Sequence, residues 1–202
     1  IKLKKLLIQS QEELRELGIG GSAAGTGINV PKGYREAILE ELKILFSDST
    51  LTLSPNRCMS MQSQLPMQIY SNALRAIALE LTRMMNDLRL LSSGPTNGLA
   101  EISLPSMQPG SSIMPGKINP SILEMGNQVF FKVLGNDSAM AYAIQAGQLE
   151  LNVMMPVMAQ LALESTHLMT HALRAIREKC VDGIEANEEL CQRNAESTSQ
   201  MA

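Results

Sequence analysis

The chain has 202 residues and a formal net charge of −3, with 45% hydrophobic and only 3% aromatic residues. This length supports one domain with a substantial core, and the apolar content argues against intrinsic disorder. The slight negative charge argues against a nucleic-acid-binding protein, which usually has a basic face. No apolar run reaches the roughly 18 residues that a membrane-spanning helix needs. Three cysteines without a metal-like spacing are typical of reduced thiols, so we expect a cytoplasmic protein.

Apolar residues recur mainly with a helical period, which predicts an all-α fold. Helices are predicted over residues 1–17, 34–46, 66–91, 120–145, 149–180 and 187–194. We expect a glycine-rich loop at residues 18–33, polar irregular chain at 47–65 and a second loop at 92–119. Pro156 is expected to kink the 149–180 helix, and no strand is predicted. Helices this long need long partners, so the fold is expected to be an extended bundle. Its core should include the methionines Met84, Met85, Met154, Met155 and Met158.

The loop that ends at Pro120 is the most informative segment. Its small, polar and cationic residues are Gly110, Ser111, Ser112, Gly116, Lys117 and Asn119. Glycine lets the backbone approach a ligand closely, and a helix that opens at Pro120 presents N–H groups that attract anions. These features favour a carboxylate or phosphate ligand and a serine with an activated hydroxyl. Glu124, one turn into the helix, could point back to the loop. A flexible linker with a helix cap explains the same residues, and both interpretations stay open here.

Two other patterns favour structural interpretations. Residues 20–27 resemble part of a phosphate-binding loop, but Thr26 stands in the lysine position and the segment follows a helix rather than a strand. A turn where helices approach closely explains it better. His167 and His171 have the i, i+4 spacing of zinc ligands, but Leu168 stands where a zinc protease has its glutamate, and no third ligand is evident. We therefore expect two histidines on a helix surface.

Four segments in chain order resemble those of the aspartase/fumarase superfamily. They are residues 21–29, 86–95, 110–120 and 147–156. The resemblance implies a mostly helical subunit whose central domain is a long antiparallel bundle, which merges with three others in a homotetramer. Residues 1–196 would then be an N-terminally incomplete central domain, and 197–202 the start of a C-terminal domain. The implied partner is a small dicarboxylate, without a metal or organic cofactor and without nucleic acid or membrane.

The same resemblance implies roles for the loop residues. Ser111 matches the serine that removes a proton from the carbon beside the substrate's β-carboxylate, which gives an aci-carboxylate intermediate. Ser112, Lys117 and Asn119 are expected to bind the substrate. Supporting roles are implied for Gly110, Met114 and Glu124, and in fumarases the residue that matches Glu124 pairs with a site histidine.

Three stretches, residues 90–95, 135–137 and 146–149, favour the branch that eliminates ammonia from L-aspartate to give fumarate. The alternatives are the class II fumarase reaction, in which malate loses water, another lyase that releases fumarate, or a helical oligomerisation scaffold with an incomplete site. The superfamily's site uses several subunits and upstream segments that have no match in these 202 residues. The chain alone is therefore expected to be inactive.

Overall fold

A computed structural model describes residues 1–114 and 116–197, which contain seven α-helices, a short 3-10 helix and four two-residue strands. The helices are α1 (Lys2–Glu13), α2 (Tyr34–Phe46), α3 (Arg57–Gln62), α4 (Leu65–Leu91), α5 (Ser121–Gln145), α6 (Met155–Lys179) and α7 (Glu188–Glu196), with the 3-10 helix at Val181–Gly183. The strands are β1 (Glu16–Leu17), β2 (Thr52–Leu53), β3 (Ile102–Ser103) and β4 (Glu185–Ala186). Two compact units divide the chain, the first with residues 1–77 and 134–166, the second with residues 78–133 and His167 onward. Each unit therefore contains one segment of α4, of α5 and of α6.

In the first unit, adjacent buried polar residues of α5 face different neighbours. Ser71 of α4 donates a hydrogen bond of 2.6 Å to Asp137, and Asn136 donates one of 3.0 Å to Ser165 of α6. Buried polar groups need such partners, so these bonds fix the rotation of α5 between its neighbours. An apolar cluster of Met140, Ala143 and Met158 packs beside them.

Outside the three long helices, the first unit joins distant parts of the chain. β1 pairs in parallel with β2, with Glu16 opposite Thr52 and Leu17 opposite Leu53. Asn56 begins α3, because its side chain accepts a hydrogen bond of 3.1 Å from the N–H of Met59.

In the second unit, the segments of α4, α5 and α6 again pack together. Asn127 of α5 donates a hydrogen bond of 2.8 Å to Asn86 of α4. A Cβ added to Gly126 would lie 2.9 Å from Ile176 of α6, so this glycine permits a close helix approach. The buried apolar residues are Ala78, Met85, Leu123, Phe130, Val133, Met169, Ala172, Ile176 and Cys180. β3 pairs antiparallel with β4, which joins the segment after α4 to the segment after α6.

The all-α prediction is confirmed, and α2, α4 and α5 have almost the predicted bounds. The prediction of a kink at Pro156 was wrong. α6 begins at Met155, so Pro156 is its second residue, where the missing N–H needs no helical partner. The preceding chain turns instead, with Leu149 at φ 50° and the Asn152 side chain accepting from the N–H of Met154 at 2.9 Å.

Three further expectations need correction. Strands exist, although each has only two residues, and the region 47–65 contains β2 and α3 rather than irregular chain alone. Only two of the five methionines expected in the core, Met85 and Met158, are buried at 1% exposure. Met84, Met154 and Met155 are 40–46% exposed. Met84 neighbours the buried Met85, and successive residues of a helix face different directions, while Met154 and Met155 lie just before and at the start of α6.

The proposed domain boundary at 196/197 stays a prediction. Of the predicted start of a C-terminal domain, residues 198–202 lie outside the described part of the chain. None of the described helices is long and apolar enough to cross a membrane.

Candidate active site

The loop between β3 and α5 is closed at its base by its own backbone and one side chain. The N–H of Gly110 donates to the carbonyl of Lys117 at 2.7 Å, and the amide of Asn119 donates to the carbonyl of Gly110 at 3.0 Å. A Cβ on Gly110 would lie 2.7 Å from the Lys117 carbonyl carbon, so only glycine permits this approach. We call this contact of Gly110, Lys117 and Asn119 the neck of the loop. The structure therefore brings together three of the predicted site residues.

Above the neck, the hydroxyl oxygen of Ser111 accepts two backbone hydrogen bonds. The N–H groups of Ile113 and Met114 lie 3.1 and 3.3 Å from it. Donors aimed at an oxygen favour its negatively charged form, so this turn is suited to stabilise a serine alkoxide. Met114 contacts Ser111 through its backbone N–H, while the neighbouring Ser112 is exposed.

The tip of the loop lies open to solvent. Ile113, Met114 and Ile118 are 87%, 52% and 58% exposed, and a Cβ on Gly116 would meet nothing within 4 Å. Lys117 is exposed, and its Cγ lies 3.1 Å from the position of a Gly110 Cβ, so the aliphatic part of its side chain runs alongside the neck. The loop thus offers a cation, backbone donors and a serine to a ligand from solvent.

Glu124 lies one turn into α5, and its described partner is an arginine rather than a histidine. Arg89 of α4 places Nη2 3.6 Å from its Oε1, with both side chains about 40% exposed. The Nε of Arg89 is buried and has no hydrogen-bond partner among the described residues. Arg89 lies within the 86–95 segment of the superfamily resemblance, but the sequence assigns it no role of its own. The signal available was its place, one turn after Asn86, where α4 ends beside the start of α5.

The stem of the loop, which we define as residues 100–109, lies over the end of α6. Cys180 lines a narrow crevice together with Leu104, Pro105 and Asn119, and it is only 2% exposed. Burial raises the pKa of its thiol, because the charged thiolate loses hydration there. Cys180 is therefore a neutral packing residue beneath the stem.

The glycine-rich segment 18–33 is a packed turn, in agreement with the structural interpretation. Gly25 has φ +85° and lies against the backbone of Arg57 and Cys58, where a Cβ would overlap. Arg57 donates from Nε to the carbonyl of Gly25 at 2.8 Å and from Nη2 to that of Thr26 at 3.3 Å. Since its carbonyls already face a cation, this turn is poorly suited to phosphate.

His167 and His171 lie on the exposed surface of α6, as predicted, with ring centroids 4.3 Å apart. Within residues 1–114 and 116–197, no group of three or more His, Cys, Asp or Glu side chains is placed to hold a metal ion.

Comparison with known proteins gives this loop a family context. A family model described as lyase matches residues 2–135. Aspartate ammonia-lyase of Helicobacter pylori is 45% identical over 185 residues, which cover 92% of this chain and 39% of that protein. The chain belongs to the aspartase/fumarase superfamily. Class II fumarate hydratase of Corynebacterium efficiens is 44% identical over the same shares of the two chains. This superfamily member thus spans about two fifths of the length of the curated relatives it matches.

A solved structure agrees with the superfamily assignment. The chain superposes on fumarate lyase:delta crystallin from Brucella melitensis bound to cobalt with a TM-score of 0.92 and 43% identity. The match covers 98% of this chain and 43% of that one, so the similarity extends over both units of the superfamily chain described here.

Proposed function

We propose that the protein containing this chain eliminates ammonia from L-aspartate to give fumarate, with Ser111 as the catalytic base. The observation that carries the proposal is the pair of backbone N–H groups on the Ser111 oxygen, at 3.1 and 3.3 Å. A serine hydroxyl is a poor base near neutral pH unless its anionic form is stabilised. The turn from Ser111 to Met114 provides this stabilisation with fixed dipoles that need no reorganisation.

The reaction then proceeds in two steps. The Ser111 alkoxide takes the proton from the carbon beside the β-carboxylate, and the electron pair of that C–H bond moves into the carboxylate. The resulting aci-carboxylate carries two negative charges. Its collapse forms the carbon–carbon double bond and breaks the neighbouring carbon–nitrogen bond, whose electron pair leaves with ammonia. The proton remains on Ser111 and must be released before the next turnover.

The substrate contacts follow from the same loop. Lys117 supplies a positive charge at the neck, while Ser112 and Asn119 supply neutral hydrogen-bonding groups for a carboxylate. The intermediate has more negative charge than the substrate, so these groups stabilise it more than they stabilise the ground state. Glu124 supports the site from the first turn of α5, held by Arg89 at 3.6 Å.

We further propose that the protein acts as a cytoplasmic homotetramer whose subunits share each site. Exposed apolar residues on the long helices support an assembly, among them Leu79, Leu90, Phe131, Tyr142 and Leu163, each at least 48% exposed. Large apolar side chains on a helix surface favour burial against another helix. The 202-residue chain alone should show no turnover, and turnover near the rate of the complete protein would refute this.

Class II fumarase activity is the second candidate, because a fumarate hydratase matches this chain at 44% identity, almost as well as the ammonia-lyase does. Both reactions need the same base and the same dianionic intermediate, and they differ only in the leaving group. The described loop therefore serves either one.

The decisive experiment assays the complete protein for fumarate formed from L-aspartate and from L-malate, beside Ser111→Ala and Ser112→Ala. Loss of a general base lowers kcat by roughly 10²- to 10⁴-fold, so Ser111→Ala should lose nearly all turnover while its fold is retained. Ser112→Ala is the matched control and should keep more activity. Full activity in Ser111→Ala would exclude the serine base. Preference for malate would identify a fumarase, and a stable tetramer inactive with both substrates would favour the scaffold.

A further inference from the structure

Residues 100–105, just before the loop that carries Ser111, are held by residues 183–194. β3, at Ile102–Ser103, pairs with β4, so that Ile102 lies opposite Ala186 and Ser103 opposite Glu185. A few residues later, Pro105 lies so close to Gly183 that a Cβ on this glycine would be 2.6 Å from Pro105 Cγ. The stem of the loop is thus fixed at its start by residues 183–186.

Glu101 is the centre of this contact. Its carbonyl accepts from the N–H of Asn187 at 2.8 Å and from the thiol of Cys191 at 3.4 Å. Its carboxylate Oε1 accepts from the side-chain amide of Asn194 at 3.0 Å. On the other side, its own N–H donates to the carbonyl of Leu91 at 3.0 Å, at the end of α4. Glu101 therefore joins α4, α7 and the start of the stem.

Asn187 adds a second connection and begins α7 at the same time. Its Nδ2 donates to the carbonyl of Ala100 at 3.2 Å, and its Oδ1 accepts from the N–H of Leu190 at 3.3 Å. The first bond holds the segment before the loop, and the second caps the helix. The two functions reside on different atoms, so one substitution can separate them.

The stem is fixed at its start and the loop is fixed at its neck, whereas its tip is open. The position of Ser111 thus depends on how firmly residues 100–105 are held. We propose that Glu101, Asn187 and Asn194 form a clamp that positions the catalytic loop and sets how often it delivers Ser111 to the substrate. This inference rests on the proposed function of Ser111. These three are positioning residues, because they act through the loop and do not touch the reacting atoms.

A loosened clamp should lower turnover more than substrate affinity. If the loop samples more positions, a smaller fraction of bound complexes has Ser111 in place, which lowers kcat, while the carboxylate contacts at the neck are retained. Loss of one hydrogen bond to the clamp should lower kcat roughly fivefold and change KM less than twofold. A purely structural role would change only thermal stability.

The experiment compares four variants of the complete protein with the natural one. Glu101→Ala removes the acceptor for Asn194, and Glu101→Gln retains an amide oxygen that can accept the same bond. Asn187→Asp keeps the cap of α7 but cannot donate to Ala100. Gln192→Ala is the matched control, because the Gln192 side chain lies on α7 and, among the described residues, donates within the same helix to Glu196 at 2.9 Å. The measurements are kcat, KM and amide hydrogen exchange of the peptide covering residues 104–114.

Glu101→Ala and Asn187→Asp should accelerate exchange of this peptide several-fold and lower kcat, whereas Glu101→Gln and Gln192→Ala should resemble the natural protein. Unchanged exchange in both clamp variants would overturn the clamp, as would faster exchange with unchanged kcat. If Glu101→Ala does not fold, Asn187→Asp decides alone. Failure of the natural protein to convert aspartate or malate would overturn the proposed function instead, and hydrogen exchange would still report whether the clamp restrains the stem.

Discussion

Two glycine-containing segments of this chain are held in opposite ways. Residues 18–33 are packed from outside, since Gly25 lies against the backbone of α3 and Arg57 bonds to the turn. The loop at residues 110–119 is closed by its own neck, and Gly116 has open space around it. Glycine therefore serves close packing in the first segment, and a neck with an open tip in the second.

The two segments also present opposite backbone polarity. In the packed turn, the carbonyl oxygens of Gly25 and Thr26 face the guanidinium of Arg57, so the turn is matched to a cation. In the loop at residues 110–119, the N–H groups of Ile113 and Met114 face the oxygen of Ser111, so the loop is matched to negative charge. The presence of glycine alone does not distinguish these cases. The decisive feature is which backbone atom faces the functional side chain.

The largest effect is expected from Gly25→Ala in the packed turn. The variant combines a φ of +85° with overlap against rigid backbone, which together should cost about 3 kcal/mol of local stability. Gly33→Ala is the matched control, because Gly33 has φ +80° and nothing within 4 Å, so only about 1 kcal/mol of conformational strain applies. Native-state hydrogen exchange of residues 18–33 and α3 measures both. Equal losses in the two variants would show that α3 does not hold the turn.

Gly110→Ala should affect activity more than stability. A Cβ there meets the Lys117 carbonyl, so the neck must open and the loop loses its closed base. We expect kcat in the complete protein to fall about tenfold, because one displaced neck hydrogen bond misplaces Ser111, while the melting temperature changes little. Gly116→Ala, at φ +79° in open space, tests whether any loop substitution has this effect. A kcat lowered equally in both variants would argue against a specific role for the neck.

Arg57→Lys should weaken the packed turn moderately. Lysine keeps the charge but has one ammonium in place of a planar fork, so it cannot reach the Gly25 and Thr26 carbonyls in the same geometry. The expected loss is about 1 kcal/mol in local stability, read from exchange of residues 20–27. Substitution of the exposed Lys32 by alanine in the same unit controls for loss of surface charge. No loss in Arg57→Lys would mean that charge alone holds the turn.

Features that depend on interactions between nearby residues could be predicted from the sequence, whereas features that depend on contacts between distant residues could not. The helical period of apolar residues places α4 and α5 within a residue or two, because it reports packing along one element. The two-residue strands were missed, since β1 pairs residues 16–17 with residues 52–53, and no local pattern encodes that contact. Pro156 was misjudged because proline breaks a helix interior but suits its first turn, and Asn152 just before it was the available sign of a helix start.

The residues of the candidate site also differ in how well the sequence predicts them. Most residues of the loop that the candidate site uses could be proposed from sequence, since they are adjacent and their chemistry is explicit, but the N–H of Ile113 on Ser111 could not. Arg89 and Glu101 were given no role, although Arg89 contacts Glu124 of the candidate site and Glu101 contacts Asn194 of α7. Arg89 lies in the last turn of α4 and Glu101 lies in the loop before β3, and a solvated charge explains each of them equally well from sequence. Only the fold shows that one meets α5 and the other meets α7.

The smallest effect on stability should come from substitution of the cysteines that lie beside the two glycine-containing segments. Cys58 is exposed next to the packed turn, whereas Cys180 is buried beneath the stem, where burial raises its pKa above the usual 9.0. Below pH 9.0 the Cys180 thiol keeps its proton whether the chain is folded or unfolded. Above pH 9.0 the thiol of the unfolded chain releases its proton first, because the folded pKa is higher. The contribution of the buried neutral thiol to the free energy of unfolding is therefore lost as pH rises through the folded pKa. Melting temperatures of the natural protein should therefore fall more steeply than those of Cys180→Ala at pH values above 9.0. Cys58→Ala gives the baseline for removing a thiol elsewhere, and parallel curves for the natural protein and Cys180→Ala would show that the stem leaves this thiol in contact with water.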